Sequence, residues 1–225
     1  MSDVSLHRGE EEPLSVELAL NAIPEAKSSQ TGVSVRYVPD PNKHWFVFRS
    51  SYGRSQISAD YLIEKGIYPY VAMQYANRHI RGKKKRILKP LIPSILFAYA
   101  TSEEADKCID KSDVSSHLSY YYDHFNKENG MNPPLTIKEK EMLDFIKVTS
   151  THNMHLKFVD AEHCHFKTGE MVKVTEGPFK GIEGKVARVA GQQRVVIAIS
   201  NIGMISTAYI PTAFLEAKST TPSTI

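Results

Sequence analysis

Residues 169–186 read GEMVKVTEGPFKGIEGKV, and this stretch decides the architecture of the C-terminal part of the chain. Val172 and Val174 alternate with longer or polar side chains, which is the spacing of a half-buried strand. The segment after them is rich in residues of special backbone geometry: Gly177, Pro178, Gly181 and Gly184. Glycine adopts the backbone angles of tight, bulged turns, and proline fixes one turn dihedral. The sequence therefore predicts two strands joined by a compact turn.

The composition indicates a protein that can form a core. The chain has 225 residues, of which 41% are hydrophobic, and a mean hydropathy of −0.32, so one large domain or two modest ones are expected. The most apolar run, residues 91–100, is much shorter than the about 20 residues that cross a bilayer. The N-terminus lacks the pattern of a secretory signal, and two cysteines make no disulfide framework. We expect a cytoplasmic monomer with free thiols and no membrane contact.

Charge is distributed unevenly along the chain, although the net charge is only +3. Residues 1–42 are acidic. Residues 77–90 contain no acidic residue, and their cationic residues are Arg78, Arg81, Lys83, Lys84, Lys85, Arg86 and Lys89. Clustered cations bind phosphates by releasing condensed counterions. The alternative is a solvated loop that keeps a sheet edge soluble. The candidate nucleic-acid contacts are Arg78, Arg81, Lys83, Lys84, Lys85 and Arg86.

The pattern predicts an α+β fold in two parts. Residues 1–42, broken by prolines, are expected to form a weakly ordered extension. The aromatic strand that starts at His44 opens an α+β domain over residues 43–160, with helices near 54–65, 101–111 and 136–146. Capping boxes are predicted at Thr101–Glu104 and Thr136–Glu139. A connector (161–167), a small β domain (168–217) and an unstructured tail (218–225) follow. The sequence leaves open whether the two domains pack together.

The turn described first resembles the KOW motif, and the order of the two domains resembles the NusG family of transcription elongation factors. The KOW pattern rests on these residues: Gly169, Val172, Val174, Gly177, Pro178, Phe179, Gly181 and Gly184. The resemblance covers His44 to Ala217 and implies an N-terminal NusG-like α/β sandwich followed by a small SH3-like KOW β-barrel. The opening strand Trp45-Phe46-Val47 and Gly53 fit the first domain of that family.

The resemblance also implies a protein-binding surface. In the family, a Pro-Gly-Tyr-Val-Phe-like segment helps to form an apolar surface that grips the clamp helices of RNA polymerase. Here Pro93 and Phe97 fit, while Ser94 and Ile95 replace the glycine and tyrosine. The implied polymerase contacts are Ile92, Pro93, Ile95 and Phe97, with Arg49 and Tyr52 at the rim. Ile95 and Phe97 share one strand face, which either docks on a partner or packs into the core.

Short segments resemble specialised NusG paralogues of the UpxY type from Bacteroides-like bacteria, in particular Pro134–Ile137 and Thr207–Pro211. That resemblance implies antitermination on long operons such as surface-polysaccharide loci. It implies RNA polymerase as the partner, with non-template or upstream DNA, nascent RNA and a ribosomal protein as further contacts. The alternative is a ribosome-associated or RNA-binding KOW protein that does not bind polymerase.

Two other patterns allow a functional and a structural interpretation. His163-Cys164-His165 lacks the ligand spacing of a zinc site, so linker residues are favoured and no metal is expected. Tyr120-Tyr121-Tyr122 either stacks on bases or belongs to a half-buried strand, and the strand is favoured. The sequence contains no phosphate loop, nucleophile elbow or dinucleotide fingerprint, so neither an enzymatic activity nor a cofactor is expected.

Overall fold

The computed structural model describes residues 23–109, 117–150, 156–160, 171–189 and 192–217. Its helices within these ranges are α1 (Ser55–Glu64), α2 (Ser102–Cys108) and α3 (Glu139–Thr149). Its strands there are β1 (Ala26–Lys27), β2 (Ser34–Val35), β3 (His44–Ser50), β4 (Tyr68–Tyr70), β5 (Met73–Ile80), β6 (Lys83–Pro90), β7 (Ile95–Ala100), β8 (Leu118–Tyr120), β9 (Thr136–Ile137), β10 (Lys157–Asp160), β11 (Met171–Val174), β12 (Glu183–Val189), β13 (Gln192–Ile199), β14 (Gly203–Tyr209) and β15 (Leu215–Ala217). None of these helices combines the length and apolar character needed to span a membrane.

The first sheet is antiparallel, in the order β4-β7-β3-β8, and β9 also pairs with β3. Both faces of its central strands, β3 and β7, pack against helices, which explains why these strands are apolar on both faces. Phe48 and Leu96 lie on the side that packs against α1 and α2. Val47 and Phe97 lie on the opposite side, against α3. The predicted aromatic strand is therefore confirmed, and Leu96 and Phe97 lie on opposite faces of β7.

Local capping signals explain two helix ends but not a third. Thr101 and Glu104 form the predicted capping box, in which Thr101 Oγ1 accepts from the Glu104 N–H at 3.2 Å. Gly66, with φ of +75°, follows the end of α1, where glycine is favoured because it adopts this conformation without strain. The capping box predicted at Thr136 and Glu139 is wrong. Thr136 belongs to β9, where it pairs with Phe46, so its side chain does not cap α3.

The basic segment forms a long hairpin rather than a loop. β5 and β6 make a separate two-stranded sheet of eight residue pairs, from Met73↔Pro90 to Ile80↔Lys83. Arg81 and Gly82 form the turn, both with positive φ. The Leu91 N–H donates to the Ala72 carbonyl at 2.8 Å and closes the base of the hairpin. The chain therefore extends this hairpin away from the first sheet.

Part of the extension expected to be weakly ordered is folded. β1 and β2 form a short antiparallel hairpin. Tyr37 then packs on Trp45 with stacked rings 5.6 Å apart between centroids, and its hydroxyl donates to Glu139. Tyr37 is thus part of the core, which explains why this segment is ordered despite its prolines. Residues 1–22 lie outside the described residues.

The second sheet is antiparallel, in the order β10-β14-β13-β12-β11-β15. Within the described residues no pairing joins β10 to β15, so the closed barrel stays a prediction. Buried side chains of this sheet, such as Val172 and Ile197, belong to the same apolar cluster as Phe97 and Phe145. The two parts of the chain therefore pack together through α3, a question that the sequence leaves open.

Candidate protein and nucleic-acid interface

Several predicted contact residues lie at one end of the first sheet, where β3 ends and β7 begins. The Ser50 N–H donates to the Ser94 carbonyl at 2.9 Å, so the loop that contains Pro93 lies beside the end of β3. Tyr52 follows this point and is 94% exposed. Arg49 is also exposed, and its guanidinium lies 4.8 Å from the centre of the Tyr121 ring. We call this region the open end of the first sheet.

Ser94 adopts a left-handed backbone conformation, with φ of +58°. Glycine populates this region without strain, whereas a non-glycine residue incurs a free-energy cost there. Ser94 therefore holds a turn conformation that a glycine would adopt without this cost.

The apolar candidates at the open end are buried instead of forming an exposed face. Ile92 is buried, Ile95 is 9% exposed and Phe97 is 0% exposed. The Phe97 ring contacts Phe145 of α3 in a T-shaped arrangement, with centroids 5.2 Å apart. The expected exposed face of β7 is therefore closed in this structure, because α3 covers the side that carries Phe97.

The candidate nucleic-acid contacts lie together on the hairpin of β5 and β6. All six side chains are exposed: Arg78, Arg81, Lys83, Lys84, Lys85 and Arg86. Cross-strand pairing brings Arg78 beside Lys85, and like charges at that spacing repel each other. A nearby anion would relieve this repulsion. The hairpin is thus an extended cationic surface that can contact phosphates.

The residues of the KOW pattern build the turn between β11 and β12. Val172, Val174 and Phe179 are buried, while Gly177 and Gly181 have φ of +79° and +89°. Gly184 instead allows a close approach, because a Cβ atom there would lie 2.5 Å from the Val196 carbonyl oxygen. Pro178 is exposed in the turn, and Gly169 lies outside the described residues. The predicted turn geometry thus holds at Gly177 and Gly181, but it is wrong at Gly184, which has no positive φ and belongs to β12.

Polar contacts join the two parts of the chain beside α3. The N–H and hydroxyl of Ser200 both donate to the Glu141 carboxylate, and Lys147 donates to the Lys180 carbonyl at 2.5 Å. The Asn201 side chain donates to Asp123 at 3.0 Å. Sequence spacing gives no signal for these pairs, because the partners are far apart along the chain.

Asp123 is a hydrogen-bond acceptor shared by the two parts. Burial alone would raise the pKa of its carboxyl group, but several hydrogen bonds to the charged form hold that pKa below 3.8. The donors include the Asn126 side chain at 2.7 Å and the Phe125 N–H at 2.9 Å. The carboxylate thus orders its own loop as well as the contact with Asn201.

A cavity of about 480 Å³ lies between α3 and the second sheet. Its floor is mostly apolar and includes Val186, Ile197 and Met204. Asp144 lines its rim, and burial raises the pKa of this carboxyl above 3.8, although a pair with Lys140 at 3.0 Å opposes the shift. The charged form of Asp144 is therefore less favourable in the folded protein than in the unfolded chain.

Asp144→Asn is expected to raise the melting temperature at pH 7 by a few degrees. The raised pKa means that Asp144 stabilises the fold below pH 3.8, and that this contribution is lost as pH rises through the folded-state pKa. At neutral pH asparagine removes the cost of the buried charge, and the lost surface pair with Lys140 contributes little. The gain should shrink as pH falls toward 3.8 in thermal melts. A lower melting temperature at pH 7 would contradict the prediction, and Lys140→Gln is the control for the pair.

The remaining patterns have structural explanations or lie outside the described residues. Tyr120 stacks on Phe48 at 5.3 Å and donates to Asp106, so it is a core residue. Tyr122 is exposed. In the part of the chain that the structure describes, no group of three or more His, Cys, Asp or Glu residues is arranged to hold a metal ion. His163, Cys164 and His165 lie outside that part.

Comparison with known proteins gives matches to solved structures alone. No protein-family model and no curated protein matches the chain. The chain is similar to Thermotoga maritima NusG, at 15% identity and a TM-score of 0.38, over 79% of this chain and 98% of that one. It is also similar to an Spt4:Spt5 complex (MjSpt4:Spt5, conformation B), at 16% identity and a TM-score of 0.22, over 78% and 97% of the two chains. At these identities and TM-scores, neither likeness establishes what this chain does.

Proposed function

We propose that this chain is a NusG-like transcription elongation factor, a binding protein without enzymatic activity. It would dock on the clamp helices of RNA polymerase and suppress pausing or termination. The observation that supports this proposal best is the convergence of two candidate contact regions. The base of the cationic hairpin continues directly into the loop of Pro93 and Ser94, beside the exposed Arg49 and Tyr52.

This convergence suits a protein that bridges polymerase and nucleic acid. Arg49, Tyr52 and Pro93 are exposed and can contact a protein surface, while Ile92, Ile95 and Phe97 support them from within the core. The hairpin would meanwhile reach upstream or non-template DNA. Binding that favours the closed clamp over the open one shifts the equilibrium between these polymerase states. Because a paused or terminating polymerase requires clamp opening, elongation would persist.

The finer assignment follows the resemblance to UpxY-type paralogues. We propose that the factor acts as an antiterminator on particular long operons, such as surface-polysaccharide loci. The second sheet, with its KOW turn, would recruit a ribosomal protein or contact nascent RNA. In this proposal no residue of the described chain catalyses a reaction.

Transcription in vitro with purified multisubunit RNA polymerase tests this function. The protein is expected to increase readthrough of pause and terminator sites on at least one of a set of templates that differ in their leader sequence. Tyr52→Ala is expected to weaken polymerase binding about ten-fold, as loss of an interface tyrosine commonly does, and to reduce readthrough. Both should occur without a change in stability, because Tyr52 is exposed.

Phe125→Ala is the matched control, since Phe125 is an exposed aromatic residue on a different loop. If Tyr52→Ala binds polymerase as tightly as wild type and Phe125→Ala binds it more weakly, the polymerase contact lies on the loop of Phe125 and not at Tyr52. Failure of the wild-type protein to bind polymerase or change readthrough would contradict the proposed function. Co-purification with ribosomal subunits instead would favour the ribosome-associated alternative.

A further inference from the structure

The two faces of the cationic hairpin differ in chemistry. Directly opposite residues of an antiparallel pair share a face, and successive residues alternate between faces. One face therefore carries Tyr75, Asn77 and His79, opposite Leu88, Arg86 and Lys84. The other carries Ala76, Arg78 and Ile80, opposite Ile87, Lys85 and Lys83. Lysine and arginine occur on both faces, but the hairpin's aromatic side chain is on the first.

Tyr75 and Arg86 form a flat, partly exposed pair on that first face. The Arg86 guanidinium lies 4.0 Å from the centre of the Tyr75 ring, which is the distance of a close cation–π stack. Tyr75 is 36% exposed, and Leu88, its direct cross-strand neighbour, is 45% exposed. An exposed phenol, a planar guanidinium and an apolar side chain thus lie side by side on a strand pair that does not belong to the core.

Phosphate binding alone does not require this arrangement. Cations are sufficient for phosphates, and they attract duplex as well as single-stranded nucleic acid, with a somewhat stronger effect on the more highly charged duplex. An exposed aromatic ring beside an arginine adds affinity for the flat face of a base, as in proteins that bind single strands. In a duplex these faces are covered by neighbouring base pairs, so the ring can contribute only to an unpaired base.

We propose that the hairpin of β5 and β6 binds single-stranded nucleic acid, with an unpaired base stacked on the Tyr75–Arg86 pair. Lys84 lies on the same face, two residues nearer the tip, and would hold a neighbouring phosphate. Lys83 and Lys85 lie on the opposite face, and their charges attract the phosphates of both single strands and duplexes. This inference deepens the nucleic-acid contact of the proposed function, since it specifies the form of nucleic acid and the residues that distinguish it.

The test measures binding of the full chain to fluorescently labelled oligonucleotides by anisotropy, without polymerase. The probes are a 12-nucleotide oligodeoxythymidine, the matching oligouridine and a 12-base-pair DNA duplex, and the first two distinguish DNA from RNA. Tyr75→Leu is expected to weaken single-strand binding about ten-fold, the size of one lost base stack, and to change duplex binding by less than about two-fold. Tyr75→Phe keeps the ring and should bind like wild type.

Variants that lose positive charge should differ from Tyr75→Leu in the nucleic acids that they bind less tightly. The double variant Lys83→Gln/Lys85→Gln is expected to weaken binding to single strand and duplex alike, and to reduce the salt dependence of both. Circular dichroism and thermal melts check that each variant is folded, which is expected because Tyr75 lies outside the core. The proposal is overturned if wild type binds no single strand, if Tyr75→Leu leaves single-strand affinity unchanged, or if it weakens duplex binding equally.

The binding assay tests this inference, and the transcription assay tests the proposed function, so either proposal can be rejected without the other. Loss of the single-strand contact would leave polymerase binding and readthrough to be judged by the transcription assay. Conversely, a Tyr75-dependent preference for single strands without polymerase binding would sustain this inference and reject the elongation-factor assignment.

Discussion

Phe97→Ala is expected to lower the free energy of unfolding by about 3–5 kcal/mol, as truncation of buried phenylalanines does. Phe97 is 0% exposed and contacts Phe145 of α3 across the sheet face. The substitution removes buried apolar surface and leaves a cavity between β7 and α3. This loss is a large part of the 5–15 kcal/mol by which domains are typically stable. Urea unfolding followed by circular dichroism measures it.

Tyr52→Ala provides the control at the same end of the sheet. Because Tyr52 is almost fully exposed, its truncation should change stability by less than about 0.5 kcal/mol. If Phe97→Ala were as stable as wild type, the packing of α3 on β7 described here would be wrong. The expected instability also means that a loss of readthrough in Phe97→Ala cannot by itself identify a polymerase contact.

Gly184→Ala is expected to destabilise the second sheet by at least about 3 kcal/mol, at the upper end of what overpacking usually costs. A Cβ atom at this position would lie 2.5 Å from the Val196 carbonyl oxygen and 2.7 Å from Val195 Cγ1. Backbone atoms of β13 would have to move, and with them the pairing of β12 with β13. Thermal unfolding and amide hydrogen exchange of β12 and β13 would detect the change.

Gly181→Ala is the matched control in the same turn. Gly181 has φ of +89°, but a Cβ atom there would have no heavy atom within 4 Å. The expected cost is therefore conformational strain alone, about 1–2 kcal/mol. A larger loss in Gly181→Ala than in Gly184→Ala would show that backbone angle, and not close approach, determines the glycine pattern of this turn.

Features that depend on neighbouring residues were predictable from the sequence. The aromatic strand from His44, the Thr101–Glu104 capping box and the glycine after α1 each follow from side chains a few positions apart. The alternation of Val172 and Val174 likewise predicts a strand with buried valines. Such signals act locally, so a single sequence contains them in full.

Features that depend on distant partners were not predictable. The sequence predicts Phe97 as a docking residue, with a core residue as the alternative, and the choice depends on where α3 lies. Tyr37 belongs to a segment broken by prolines, yet Trp45 and Glu139 hold it in the core. Asp123 meets Asn201 across a separation of 78 residues. The sequence predicts a hairpin with a long basic tip, and the basic parts of its strands were missed because charged side chains on both faces hide the alternation that marks a half-buried strand.

The separation of the β5–β6 hairpin from both large sheets has an evolutionary consequence. Substitutions in a segment without buried side chains alter few contacts that hold the fold together, so mutations there are tolerated more readily than in β3 or β7. Selection can therefore change what this hairpin binds while the rest of the fold stays the same. Paralogues that share this architecture would then differ most in the sequence of this hairpin.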